Sequence, residues 1–265
     1  MKDYPRARKR FGQHFLEAAW VARLVDLVAP AADDTFLEVG PGRGALTRVL
    51  APRVARLVCI EIDRDLADRL RTSAPPNVEV VTGDVLATDL AAVLGTSRGA
   101  RVIGNLPYNI ASPILFKLVH DVDRGAGFVD ATVMLQREVA NRLAASPGSA
   151  DYGALAIQAS RVAEVTSLLT LPPGAFRPPP KVTSAVVRMR FVPPRVDVGD
   201  IGTFERLVRG AFLQRRKMIQ NALVPVADSL GRSAGELIAR AGIDPQKRPE
   251  ALTLEEFARL SRAVL

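Results

Sequence analysis

Through residue 140 the chain alternates short apolar runs with stretches of helical periodicity. The runs at 35–39, 57–62, 78–82, 101–103 and 132–135 are rich in Val, Ile and Leu and have the length of strands buried on both faces. Between them, residues 17–28, 44–50, 65–72 and 113–119 carry apolar positions at helical spacing. This order predicts an α/β domain, a parallel sheet with helices on both faces. Helices at 137–145 and 152–160 and strands at 162–169 and 182–191 continue it, with a proline-rich connector at 172–180. Beyond Val192, Pro193 and Pro194 the strand pattern stops. Leu207, Val208, Ala211, Phe212, Met218, Ile219, Ala222 and Leu223 form one helical face, with further helices at 233–241 and 254–264. The expected division is a sheet domain at 1–191, with 1–16 as a basic arm, and a small all-α domain at 192–265.

The chemistry gathers at the ends of the strands. Gly40, Pro41, Gly42, Arg43 and Gly44 follow the first strand, where glycines let the backbone turn tightly and approach a ligand. Glu61 ends the second, about 20 residues after Gly40, the spacing of a ribose-binding acid. Gly83 and Asp84 follow the third, and Gly104, Asn105, Leu106, Pro107 and Tyr108 the fourth. Gly40, Gly42 and Ala45 also satisfy the dinucleotide pattern, so a nicotinamide oxidoreductase competes. Hydride transfer has no use for Asp84 or for the Asn-Leu-Pro-Tyr turn, whereas an S-adenosylmethionine site employs all four strand ends.

That turn suits attack by an adenine amino group. The lone pair of N6 is delocalised into the ring; two acceptors, the Asn105 amide oxygen and the Leu106 carbonyl, draw the nitrogen toward tetrahedral geometry. Pro107 fixes the backbone and offers no competing N–H, and Tyr108 can stack on the base.

Composition narrows the partner. Lys and Arg number 36 against 28 Asp and Glu, a net charge of +8 and a pI near 10.2, which favours a polyanion such as RNA. A single cysteine, Cys59, excludes an intrachain disulfide, and with two histidines there is no metal-ligand cluster. The basic start lacks the apolar core of a secretory signal, and no run is long enough to cross a bilayer.

The chain resembles the ribosomal RNA adenine dimethyltransferase family. The resemblance rests on Arg8-Lys9-Arg10-Phe11-Gly12-Gln13-His14-Phe15-Leu16, Glu38-Val39-Gly40-Pro41-Gly42, Glu61-Ile62-Asp63-Arg64-Asp65-Leu66 and Gly104-Asn105-Leu106-Pro107-Tyr108-Asn109. Met134-Leu135-Gln136-Arg137-Glu138-Val139, Tyr152-Gly153, Phe176-Arg177-Pro178-Pro179-Pro180-Lys181-Val182 and Gln214-Arg215-Arg216-Lys217 extend it over nearly the whole chain. His14 departs from the commonest form, which has Asn there. The resemblance implies a Rossmann-like class I S-adenosylmethionine-dependent methyltransferase that dimethylates N6 of two adjacent adenosines near the 3′ end of 16S rRNA. Its substrate would be the small subunit or its precursor, and the enzyme a cytoplasmic monomer. It implies cofactor contacts at His14, Leu16, Gly40, Gly42, Glu61, Asp84 and Asn105. The catalytic set would be Asn105, Leu106, Pro107, Tyr108 and Phe176, the last closing on the adenine face opposite Tyr108. RNA contacts would come from Arg8, Lys9, Arg10, Arg215, Arg216 and Lys217. Two other readings stay open: a 23S rRNA adenine N6-methyltransferase of the macrolide-resistance type, and an RNA-binding assembly factor whose catalysis is dispensable.

Overall fold

The computed structural model describes residues 14–95 and 99–264. Two compact units divide the chain: one holds the described residues up to Ala140 together with Glu164–Phe191, the other Asn141–Ala163 and the chain from Val192 on.

In the first unit, β1 (Phe15–Leu16) and α1 (Ala18–Val28) lead into β2 (Thr35–Val39), α2 (Ala45–Leu50), β3 (Arg56–Glu61) and α3 (Arg64–Ser73). There follow β4 (Val78–Thr82), α4 (Leu90–Leu94), β5 (Ala100–Asn105), α5 (Ala111–Asp123) and β6 (Phe128–Gln136). The first unit reaches into α6 (Arg137–Leu143); α7 (Ala154–Val162) belongs to the second, and β7 (Ala163–Leu171), β8 (Phe176–Arg177) and β9 (Ser184–Phe191) return to the first. Seven strands form one sheet in the order β4-β3-β2-β5-β6-β9-β7. β2 to β6 run parallel, and β9 pairs antiparallel with β6, Gln136 facing Ser184. The β2 register, Phe36 to Val39, is buried throughout, as a strand covered on both faces must be. Asp63 caps α3 by accepting from the Asp65 N–H.

Glycine sets the spacing at the centre of the sheet. A Cβ on Gly104 would stand 2.6 Å from the Val39 carbonyl oxygen. Its missing side chain is thus consumed by the close approach of β5 to β2. At the other end of the same strands Arg101 is pinned between Asp34 (2.9 Å) and Asp130 (2.8 Å) and donates to the Val28 carbonyl. That network ties α1 to the sheet away from the strand ends that carry the chemistry.

The second unit adds α8 (Ile201–Leu213), α9 (Ile219–Ala222), α10 (Val224–Ser229), α11 (Ala234–Ala241) and α12 (Leu254–Ala263). It also takes in α7, so the expected division at 191/192 misplaces residues 141–163. Tyr152, Ala156 and Ile157 are buried in one cluster with Phe204, Leu207 and Phe257, and the Tyr152 hydroxyl donates to the Leu252 carbonyl at 3.0 Å. The apolar face of 152–162 is covered by helices that come much later in the chain. The apolar pattern from Phe204 to Leu223 is also not one helix, since α8 stops at Leu213 and 214–217 turn.

Candidate active site

Beyond β4 the chain returns to the other side of β2, so β2 and β5 flank a topological switch point, where open parallel sheets bind ligands at the carboxyl ends of their strands. A cavity of about 340 Å³ lies there, within the range of small-molecule sites, lined wholly by the first unit. Gly42, at φ +57°, donates its N–H to Glu61 Oε2 at 2.9 Å, and the Asp63 N–H reaches Oε1 at 2.9 Å. Each Glu61 oxygen keeps a second lone pair for a ligand hydroxyl. Burial raises the Glu61 carboxyl above its ordinary value, and backbone N–H groups of Asp63, Gly42 and Ile62 pull it back.

Deeper in the cavity wall stands Glu38. It accepts from Thr47 Oγ1 at 2.7 Å and from Cys59 Sγ at 3.7 Å, and burial pushes its carboxyl up to about 7. Cys59, buried beside it, is pushed up by the same desolvation and is inert packing. At the opposite wall Asp84 Oδ1 takes the Leu86 N–H at 2.9 Å, while its exposed carboxylate borders the cavity. Ile62, 46% exposed, lines the cavity with Val85 and Leu86 and offers an apolar surface to a planar ring.

The fourth strand end is the most constrained. Asn105 Nδ2 donates to the His14 carbonyl at 2.6 Å. The amide group is therefore turned, its oxygen left as a pure acceptor with no donor among the described residues. The Leu106 N–H is held by the Met134 carbonyl (3.3 Å) and the turn closes from the Ile110 N–H to the Pro107 carbonyl (3.1 Å). No described donor occupies the Leu106 carbonyl. Two unengaged acceptors thus stand on consecutive residues beside Tyr108, whose hydroxyl meets Ser184 Oγ at 2.5 Å. Burial raises the Tyr108 phenol further, so the ring stays neutral. This arrangement can grip an amino group with two hydrogens and stack its ring.

A family model described as "Ribosomal RNA adenine dimethylase" matches residues 5–264. The chain belongs to that family. "Ribosomal RNA small subunit methyltransferase A" of Geobacter metallireducens is 48% identical, across 98% of this chain and 96% of that protein. Among solved structures, a dimethyladenosine transferase from Plasmodium falciparum superposes with a TM-score of 0.73 at 24% identity, covering 93% and 96% of the two chains. The 23S rRNA methyltransferase ErmE gives 0.63 at 26% identity, covering 94% and 99%. The sheet is that of the class I methyltransferases, and the chain is an enzyme of the rRNA adenine dimethylase family.

Most residues singled out from the sequence of this dimethylase line one cavity: His14, Leu16, Gly40, Gly42, Glu61, Asp84, Asn105, Leu106, Pro107 and Tyr108. Phe176 does not. Its side chain is fully buried in a cluster with Leu16, Val21 and Leu24, and β8 places it opposite Leu16 of β1. It cannot clamp a base while it serves as core. The ring that meets Tyr108 is His14, 5.4 Å away between centroids and 26° from parallel. Arg215 also differs from expectation: it bonds Glu250 (2.7 Å) and the Ala150 carbonyl (2.7 Å), which fixes the turn after α8. Arg216 and Lys217 on that turn are exposed. Arg8, Lys9 and Arg10 lie outside the described residues. Sequence reasoning missed Ser184 and Ile62 as site residues; the exposed isoleucine directly after the β3 acid was the available signal.

Proposed function

We propose that the chain transfers methyl groups from S-adenosylmethionine to N6 of two adjacent adenosines near the 3′ end of small-subunit rRNA, a step in small-subunit biogenesis. The carrier is the small subunit or its precursor, which puts the enzyme in the cytoplasm. A monomer suffices because one unit of one chain lines the whole cavity. The observation that carries the chemistry is the Asn105 amide, turned by the His14 carbonyl so that its oxygen and the Leu106 carbonyl stand together with no donor among the described residues. The relative from Geobacter metallireducens, far more similar than ErmE, favours the small subunit over 23S rRNA.

The residues present fit the methyl donor. Glu61 would accept from its ribose hydroxyls, Asp84 from its adenine amino group, Ile62 and Val85 would cover the ring, and Gly40 and Gly42 would admit the methionine portion. Bound there, the donor supplies an electrophilic methyl on a sulfonium whose charge is quenched on transfer, which a dry cavity assists. Asn105 Oδ1 and the Leu106 carbonyl take the two N6 hydrogens and localise the lone pair. Tyr108 stacks on the base, which must leave its helix to reach the site. No strong base is required, since the alkylated nitrogen is acidic and loses its proton to water. Arg216, Lys217 and the Arg8, Lys9 and Arg10 arm contribute phosphate contacts. Asn105→Ala is expected to slow methylation by about 10²–10³-fold with S-adenosylmethionine affinity nearly intact, both read on unmethylated small subunits. Near wild-type turnover would refute the role given to Asn105.

A further inference from the structure

The face of Tyr108 turned toward His14, the other ring that lines the cavity, is covered. The His14 imidazole lies against it, tilted 26°, at a centroid distance of 5.4 Å, within the range of a favourable aromatic pair. A base inserted between two rings needs each about 3.5 Å from it, so the rings would have to stand about 7 Å apart. There is no slot between them. Two further contacts hold the histidine: its Nδ1 donates to the Pro178 carbonyl at 2.8 Å, and its own carbonyl accepts from Asn105 Nδ2 at 2.6 Å. The ring is held by one bond and one stack, whereas the carbonyl that orients the catalytic amide belongs to the backbone. The strand that follows, Phe15 and Leu16, is paired with Arg177 and Phe176, which anchors that backbone independently of the imidazole.

We propose that the His14 ring is a placeholder for the target adenine, occupying the Tyr108 face until the base displaces it, while the His14 carbonyl stays on Asn105. The ring then sets the substrate's access to Tyr108 without touching N6, so His14 is a positioning residue. Adenine entry exchanges one stack for another and releases Nδ1 from Pro178. In the absence of RNA the imidazole shields the Tyr108 face from solvent. The assignment rests on the reading that the base stacks on Tyr108, on the face turned toward His14.

Removing the ring and enlarging it must then act in opposite directions. His14→Asn and His14→Ala are expected to lower KM for unmethylated small subunits, by about threefold to tenfold, the worth of one aromatic pair. His14→Trp, with a larger stacking surface, is expected to raise KM by a similar factor. Calorimetry with S-adenosylmethionine separates a cofactor contact, which would weaken donor binding in the Asn and Ala variants. Asn keeps a polar side chain of similar reach on the same backbone, and circular dichroism of each variant separates a folding defect from a change in KM. If Asn raises KM or Trp lowers it, His14 is a fixed wall of the base site and the proposal fails. It fails as well if KM stays flat through the series, or if only donor affinity moves. Failure of the wild-type enzyme to methylate small subunits would instead refute the substrate reading itself.

Discussion

Glu38→Gln isolates the electrostatics of the cavity floor. Glu38 is buried, with Thr47 and Cys59 as hydrogen-bond donors and the Glu61 carboxylate nearby. Desolvation lifts its carboxyl from 4.5 to about 7, against the opposing pull of those two hydrogen bonds and of Arg48. The folded state therefore holds a proton that the unfolded state has released between these values. Its stability contribution is fully present below pH 4.5 and is lost as pH rises through about 7, beyond which the curve is flat. Each pH unit in that window is worth about 1.4 kcal/mol, so the full loss approaches about 3 kcal/mol. Glutamine keeps the acceptor for Thr47 and cannot ionise. Denaturant unfolding from pH 4.5 to pH 8, followed through Trp20, reads the first unit, because Trp20 is the only tryptophan and packs on the cluster that holds Cys59. Other titrations cancel in the comparison, and the wild type should lose about 3 kcal/mol relative to the variant across the range. Parallel pH curves, or a relative gain by the wild type toward pH 8, would refute the buried-acid argument.

Two further outcomes follow from the placements. Phe176→Ala should cost about 3–5 kcal/mol of stability, as expected for a fully buried phenylalanine, with kcat/KM close to wild type at temperatures where the variant is folded; a large kinetic loss in the folded variant would return Phe176 to the base. Charge reversal of Arg8, Lys9 and Arg10 together should flatten the salt dependence of small-subunit binding by roughly one unit for each phosphate no longer neutralised, and an unchanged slope in filter binding would make the arm a bystander.

The strands were legible because a parallel sheet buries them on both faces and the chain marks each end with glycine, acid or the Asn-Leu-Pro-Tyr turn. Thr35–Val39 falls where the pattern predicts and is buried, and Val78–Thr82 also falls there, though as the edge strand it stays half-exposed. The two-residue strands Phe15–Leu16 and Phe176–Arg177 are too short to show any period, and with them went the burial of Phe176. An aromatic in a proline-rich loop can face a ligand or a core, and only tertiary packing decides. Arg215 is a similar case. A guanidinium inside an apolar register reads as a solvated or RNA-facing charge, yet the turn at 214–217 swings it onto Glu250 and Ala150. The move of residues 141–163 into the second unit was illegible for the same reason, since amphipathic helices reveal which face is buried but not against what.

The most direct test of the central claim incubates the enzyme with labelled S-adenosylmethionine and, separately, unmethylated small and large ribosomal subunits, then maps the modified nucleotides. The account predicts dimethylation at N6 of two adjacent adenosines near the 3′ end of the small-subunit RNA and none in the large subunit. Label confined to large-subunit adenosines, or donor binding without transfer to either particle, would contradict it.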